Sequence, residues 1–269
     1  MNASEKRYQR ADVAVEDRPI RLGSFLFTMV EPRRGHELAY NRWYERDHFY
    51  AGCMVGKWQF AGARYVATRD CKAKRYVADA SIAPDAMTGS YLAIYWVLDD
   101  HHEDWNQWAV EQVNWLHEND RMFVERDHIH TALYRYAGER NAPGSNTPIE
   151  LALDRGYPGI VVMIGEIADG ATLDDIEAVF GAQACPSDVM VSATPIPLLG
   201  NRPADVPEQP VGSRFLHVYF SNENPLEVWD ERYAELPSAL ERSGRGRALF
   251  TSPFLATIPG TDTYVDQLW

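Results

Sequence analysis

An order of elements that occurs twice constrains this chain more than any single motif. Through residues 22–30, Phe25, Phe27 and Met29 interleave with Leu26, Thr28 and Val30, an apolar run too short for a buried helix and of strand length. Pro32 and Gly35 break the chain. A helical stretch follows over 36–54, then a strand over 62–68 and a stretch without period over 70–89. A strand at 91–98, a helix to about residue 119 and a strand at 128–136 complete the set. Asp99 or Asp100 offers that helix its cap, and Trp105, Trp108, Ala109, Val113 and Leu116 form one apolar stripe along it. Beyond 137–159, which holds four glycines and no period, the order returns. Strands are predicted at 160–167, 189–196, 215–220 and 248–258. Helices are predicted at 172–180, capped by Thr172, and at 225–241, with Pro225 near its start. The loop 201–213, with three prolines, stands where 70–89 stands in the first half.

The repeat is one of architecture. Each half reads βαββαβ, a ferredoxin-like order that makes a four-stranded antiparallel sheet with both helices on one face. Such a sheet leaves its other face bare, and two bare faces can bury each other in a closed barrel with the helices outside. The predicted fold class is therefore α+β, with tandem ferredoxin-like βαββαβ repeats closing on each other as a barrel. The chain divides into an N-terminal extension (1–20), a first half (21–137), a linker (138–159) and a second half (160–269). Alternation then sorts the strand faces. Leu92, Ile94, Trp96 and Leu98 suit the helix side, as do Ile129, Thr131 and Leu133, and Leu216, Val218 and Phe220. That leaves Tyr91, Tyr95, His128, His130, Tyr134, Tyr136, His217 and Tyr219 pointing inward, a lining suited to a pocket.

Composition excludes several classes of partner. The formal net charge of -13 repels nucleic acid and anionic membrane surfaces. Cys53, Cys71 and Cys185 are widely spaced and none belongs to a CxxC pair, which fits a reducing compartment and no structural zinc site. Residues 1–19 have no apolar core of the signal-peptide kind, and no run approaches membrane-spanning length. A cytoplasmic location is expected. The chain carries 14 Tyr, 10 Phe and 8 Trp, a surplus that builds core and can also line a cavity for a ring-shaped ligand.

The sharpest local signal is Tyr40-Asn41-Arg42-Trp43-Tyr44-Glu45-Arg46-Asp47-His48, followed by Gly62-Ala63-Arg64-Tyr65. It resembles the first-helix motif and following strand of the dimeric α+β barrel superfamily, especially its EthD-like members. Members of that family pair as homodimers, so the resemblance implies that this chain fuses two such halves; a homodimer of the fused chain stays open. The family includes cofactor-independent isomerases, lyases and monooxygenases acting on polycyclic phenols, and more distant relatives bind haem. Carried over residue by residue, the resemblance offers Trp43, Tyr44 and His48. Tyr44 and His48, four apart, share a helix face, and imidazole suits proton transfer near neutrality, although a packed core histidine would look the same. The second half has Trp229 and Tyr233 four apart without a histidine, so a single asymmetric site is expected.

Together these readings predict a catalytic set of His48, Tyr44, His130 and Tyr134, and a substrate-binding set of Trp43, Arg64, Tyr91, Tyr95, His217 and Tyr219. Arg64 either binds an anionic group or makes an external ion pair. Tyr95, Tyr134 or Tyr219 would hydrogen-bond a phenolic or developing oxyanion. The expected activity is a cofactor-independent lyase or isomerase on a small hydroxylated aromatic, lignin-derived for instance, or on a polyketide-like molecule. The alternatives are a cofactor-free monooxygenase and a non-catalytic ligand-binding protein. No metal is expected: His101 and His102 read as a solvated helix start, and the His128-Ile129-His130 pair, with both rings on one face, lacks a third ligand at defined spacing. No dinucleotide fingerprint, P-loop or nucleophile elbow occurs, so nucleotide chemistry is not expected.

Overall fold

A computed structural model describes residues 20–181 and 187–269; most of the expected N-terminal extension, and Cys185, lie outside the described residues. The first half runs β1 (Leu22–Pro32), α1 (Glu37–Trp43) with a π-helical continuation (Tyr44–Met54), β2 (Gln59–Val66), α2 (Arg69–Ala73), β3 (Tyr76–Val77), β4 (Tyr91–Leu98), α3 (His102–Glu118) and β5 (Arg126–Asn141). After a 3-10 turn at Ile149–Leu151, the second half runs β6 (Gly159–Ile167), α4 (Leu173–Gly181), β7 (Val189–Ile196), β8 (Arg214–Ser221), α5 (Trp229–Arg232), α6 (Leu236–Ser243) and β9 (Gly246–Ala256). Among the described residues no helix is long and apolar enough to cross a membrane.

Hydrogen bonds order the strands β2-β4-β1-β5-β7-β8-β6-β9, with β2 also pairing to β9. Within each half the second, third, first and fourth strands follow one another, and the β2–β9 pairing closes the sheet into an antiparallel α+β barrel. The two-residue β3 rides on β9. The halves meet at two seams. One is long, from Leu133 opposite Ile196 to Asn141 opposite Val189. The other consists of Tyr65 opposite Ala256 and Val66 opposite Leu255.

The lumen is a packed core. Phe25 meets Trp96 edge-on at 4.8 Å between ring centroids and stacks on Tyr134 at 5.7 Å, while Trp96 reaches Phe220 of the other half at 6.2 Å. Fully burying side chains of this size stabilises by roughly 1.5–3 kcal/mol each. The stretch 70–89, expected to lack structure, plugs one end. Thr68 Oγ1 caps α2 by accepting from Cys71 N, and Ile82 and Ala83 are buried. The Arg75 guanidinium lies over Phe250 and Phe254 and donates to Ser252 Oγ and to the carbonyls of Ala86, Thr88 and Gly89.

Two strand faces are the reverse of those expected. Leu92, Ile94 and Trp96 stand opposite Met29, Phe27 and Phe25 and point into the barrel, so Tyr91 and Tyr95 lie on the helix side. On β8, Leu216, Val218 and Phe220 join the interior, and His217 and Tyr219 pack beneath α4–α6 with Phe180, Tyr233 and Leu240. The physical reason is that this sheet is covered on both faces, so both alternating sets are apolar and hydropathy cannot rank them. On β5, His130 and Tyr134 face inward against Phe27, as read. A register shift at Met29/Val30 turns His128 away to Thr131, with Nδ1 2.9 Å from Oγ1, so the two histidines do not share a face. Helical ends differ as well. Asp100 (φ 62) does not cap α3, whereas Thr172 caps α4 reciprocally with Asp175. The expected helix at 225–241 is two short helices.

Candidate functional site

The motif residues lie where α1 changes its winding. In an α-helix, positions five apart differ by about 140° around the axis. Over Tyr44–Met54 the backbone bonds five residues back, as where Val55 N–H donates to Tyr50 O at 3.1 Å, and positions five apart are drawn closer together around the axis. His48 thus sits above Cys53, with Nε2 3.6 Å from Sγ. Long π-helical runs are rare and concentrate at functional sites.

His48 is enclosed. Trp43 stacks on its ring at 4.5 Å, Tyr44 meets it edge-on at 5.0 Å, and a Cβ on Gly52 would come within 2.6 Å of Nδ1. Burial, helped by Arg126, pushes its pKa down to about 3, so the imidazole is neutral at ordinary pH. Cys53 bonds onward to Tyr95, and Tyr95 OH lies 2.7 Å from Tyr44 OH. Burial holds both tyrosines well above their ordinary pKa and pushes the Cys53 thiol up to about 12. The chain His48–Cys53–Tyr95–Tyr44 is therefore uncharged.

Arg64 supplies the charge. It is 8% exposed, its guanidinium 4.3 Å from the Tyr44 ring centroid and 5.2 Å from that of Tyr91. Nη1 donates to Asn41 Oδ1 at 3.2 Å, while Nη2 and the Tyr91 hydroxyl have no hydrogen-bond partner among the described residues. Glu45 is also buried; Oε2 accepts from Gly260 N at 3.0 Å, while Oε1 accepts no hydrogen bond among the described residues and lies 3.6 Å from Arg46 Nε.

Glu45 and Arg64 line a cleft of about 280 Å³ with Phe49, Tyr50, Tyr65, Tyr157 and Thr257. It opens where β2 and β9 part company beyond the bond from Thr257 N to Arg64 O, so both halves supply its walls. Larger grooves of 830 and 1280 Å³ exist, but the first pairs its charges internally, Arg155 with Asp188 and Arg232 with Glu223. The smaller cleft is where buried polar groups lacking partners meet aromatic walls, and it is the better site.

The ten expected site residues do not converge on one pocket. Arg64 lines the cleft; Trp43, Tyr44, His48, Tyr91 and Tyr95 form the layer behind it, beneath α1. His130 and Tyr134 lie in the barrel core, Nε2 3.3 Å from the hydroxyl, and His217 and Tyr219 lie under the second half's helices. Glu45, Phe49, Tyr50 and Tyr157 were not expected. Glu45 stands inside the quoted motif, whereas the second half's contributions carry no local signal. Among the described residues no group of three or more His, Cys, Asp or Glu is placed to hold a metal. His48 does not fit a haem axial ligand either, since Cys53 Sγ stands 3.6 Å from Nε2 and the helix at Gly52 closes on Nδ1.

Neither a known family nor a curated protein matches the sequence. Among solved structures, an anthrone oxidase-like protein superposes with a TM-score of 0.51 at 9% identity, covering 89% of this chain and 95% of its own. A candidate chlorite dismutase superposes with a TM-score of 0.52 at 12% identity, covering 93% of this chain and 100% of its own. At such identities the likeness concerns the fold, the dimeric α+β barrel, over nearly the whole of each chain.

Proposed function

We propose that the seam cleft is the active site of a cofactor-independent enzyme, a lyase or isomerase, acting by acid–base chemistry on a small hydroxylated aromatic or polyketide-like molecule. The observation that carries this reading is Arg64, a residue of the cleft lining whose buried guanidinium stacks on two tyrosine rings and leaves Nη2 without a partner among the described residues. A cation fixed in place before reaction stabilises a phenolate or enolate oxygen as its charge develops. Glu45, which lines the same cleft, accepts the proton that leaves. Returning that proton to another atom completes an isomerisation; expelling a leaving group from the anion, with the proton passed to it, completes an elimination. Phe49, Tyr50, Tyr65 and Tyr157 give a flat ring its walls. In this reading Tyr44, Tyr95 and His48 hold Arg64 in place, and proton transfer falls to Glu45 rather than His48.

The test is turnover of a panel of lignin-derived phenols, polycyclic phenols and enolisable diketones by the pure protein, with chelator present. Glu45→Gln and Arg64→Met are expected to lower kcat on any accepted compound by roughly 100-fold or more. Unchanged turnover in Arg64→Met would sink the reading. A second reading, cofactor-free oxygenation of an electron-rich phenol, draws on the name of the anthrone oxidase-like neighbour. It predicts one oxygen consumed per turnover, where the first predicts none.

A further inference from the structure

Beyond β9 the chain does not leave the barrel but crosses α1 as a strap. Thr257 donates through both N and Oγ1 to Arg64 O, each at 3.1 Å, and Gly260 N donates to Glu45 Oε2 at 3.0 Å. Asp262 Oδ2 accepts from Arg42 Nη2 at 2.6 Å and from Nε at 3.0 Å, and Asp262 Oδ1 accepts from Asn41 Nδ2 at 3.3 Å. Two strap residues, Asp262 (φ 55) and Tyr264 (φ 75), hold a left-handed backbone. For a bulky aromatic that conformation is an outlier, kept only where the surroundings impose it, and such strain gathers at functional sites.

The Asn41 carboxamide, 4% exposed, is fixed at both ends. Its NH2 end donates to Asp262 and its oxygen faces Arg64 Nη1 at 3.2 Å. An amide has one donor end and one acceptor end. Because the Asp262 carboxylate can only accept, it dictates that the oxygen, and not a second donor, meets the guanidinium. With Nη1 held there, Nη2 is the guanidinium nitrogen left without a hydrogen-bond partner among the described residues. Arg42 is half-exposed, so its bridge to Asp262 adds little stability. The orientation of Asn41 is the larger consequence of that carboxylate.

We propose that Asp262, from the second half, is a positioning residue for the first half's site: acting through Asn41, it aims Arg64 at the anionic oxygen of the ligand. The proposal rests on the cleft reading above, and it makes the site a joint product of the two halves. Without the carboxylate, Asn41 is free to turn its NH2 end toward the guanidinium, and Arg64 loses its fixed bearing.

The test uses the whole chain and 4-nitrophenol, a flat phenol whose colour reports its ionisation. Bound beside Arg64, the phenol is expected to ionise about one to three pH units lower than free in solution. Arg64→Met removes that lowering, Asp262→Ala removes at least half of it, and Arg42→Met, which takes away only the outer ion pair, keeps it. Asp262→Asn, of the same size, reports the same loss in smaller degree should the alanine variant fail to fold. If Asp262→Ala and Asp262→Asn keep the full lowering while Arg64→Met abolishes it, Asp262 is a surface ion pair and the inference falls, with the cleft reading intact. If Arg64→Met keeps the lowering, or the unaltered protein binds no 4-nitrophenol at millimolar concentration, the cleft reading itself falls.

Discussion

The barrel closes on itself twice, and the two closures are unlike. At β5–β7 the strands pair from Leu133 through Asn141, and the interior beside them is filled by Tyr134, Val191 and Ala193. At β2–β9 the pairing consists of Tyr65 with Ala256 and Val66 with Leu255, Thr257 N–H adds one bond to Arg64 O, and the strands then separate around a cleft. The first seam is continuous sheet, along which Asn141 Oδ1 and Ser192 Oγ find no hydrogen-bond partner among the described residues. The second gathers three buried atoms that make no hydrogen bond among the described residues: Arg64 Nη2, Glu45 Oε1, which has the Arg46 guanidinium at 3.6 Å, and the Tyr91 hydroxyl all lie on its side of the barrel. An unmet buried donor or acceptor costs about 1–3 kcal/mol, so a fold tolerates several together only where other contacts offset them. One long seam and a shared core make the short, open one affordable.

The largest test of that view removes the shared core. Trp96 touches Phe25 of its own half and Phe220 of the other. Trp96→Ala is expected to destabilise by about 3–5 kcal/mol, with urea unfolding remaining a single transition, because both halves lose the same contact. Two transitions, with one moved and one unmoved, would mean that the halves fold separately and the long seam does not unite them.

A smaller effect concerns the layers between sheet and helices on either side of the barrel. Burial pushes His217 and His48 down to about 3. Their unfolded counterparts take up protons near pH 6.5, so between pH 6.5 and 3 the unfolded chain binds more protons than the folded one. Stability therefore falls as pH drops through that window, by up to about 1.4 kcal/mol per pH unit for each such group. His217→Phe, set among Phe180 and Phe215, is expected to flatten the measured slope between pH 6 and pH 4.5 by about that amount. An equal flattening in His48→Phe would show the layer behind the open seam to be as dry as the one beneath α6. A lesser one would show water entering from the cleft.

The contrast between the seams also explains which parts of the molecule were legible in the sequence. Strand and helix order was, because each element has its own period and its own breaks at Pro32, Gly35 or Gly159. The facing of β4 was not: Leu92, Ile94 and Trp96 are as apolar as Ala93 and Val97, and a strand covered on both faces gives alternation nothing to rank. Tyr91 and Tyr95 face the helices, where Tyr95 finds Tyr44 OH, while Trp96 of the same strand turns into the lumen against Phe25. The motif at residues 40–48 gave the right helix but not its winding, since no hydropathy period marks a five-residue repeat, and without that winding Cys53 does not fall beneath His48. Tyr157, Thr257 and Asp262 were beyond reach of any local reading. They come to the site through closure of the barrel, a long-range event.

The smallest expected effect lies at the open seam itself. Thr257 donates to Arg64 O through its backbone N–H and again through Oγ1. Thr257→Val removes the hydroxyl while keeping the shape and leaving the carbonyl satisfied by the N–H, so the loss of stability should stay below about 1 kcal/mol. Hydrogen exchange reads the change more finely than melting does, because it follows local opening. The amides of Thr257 and Gly260, which donate to Arg64 O and Glu45 Oε2, should exchange faster in the variant, and those of β7 should not change. Equal acceleration at both seams would break the comparison: it would mean that the short seam opens only when the whole barrel does, and that the cleft has no motion of its own by which to admit a ligand.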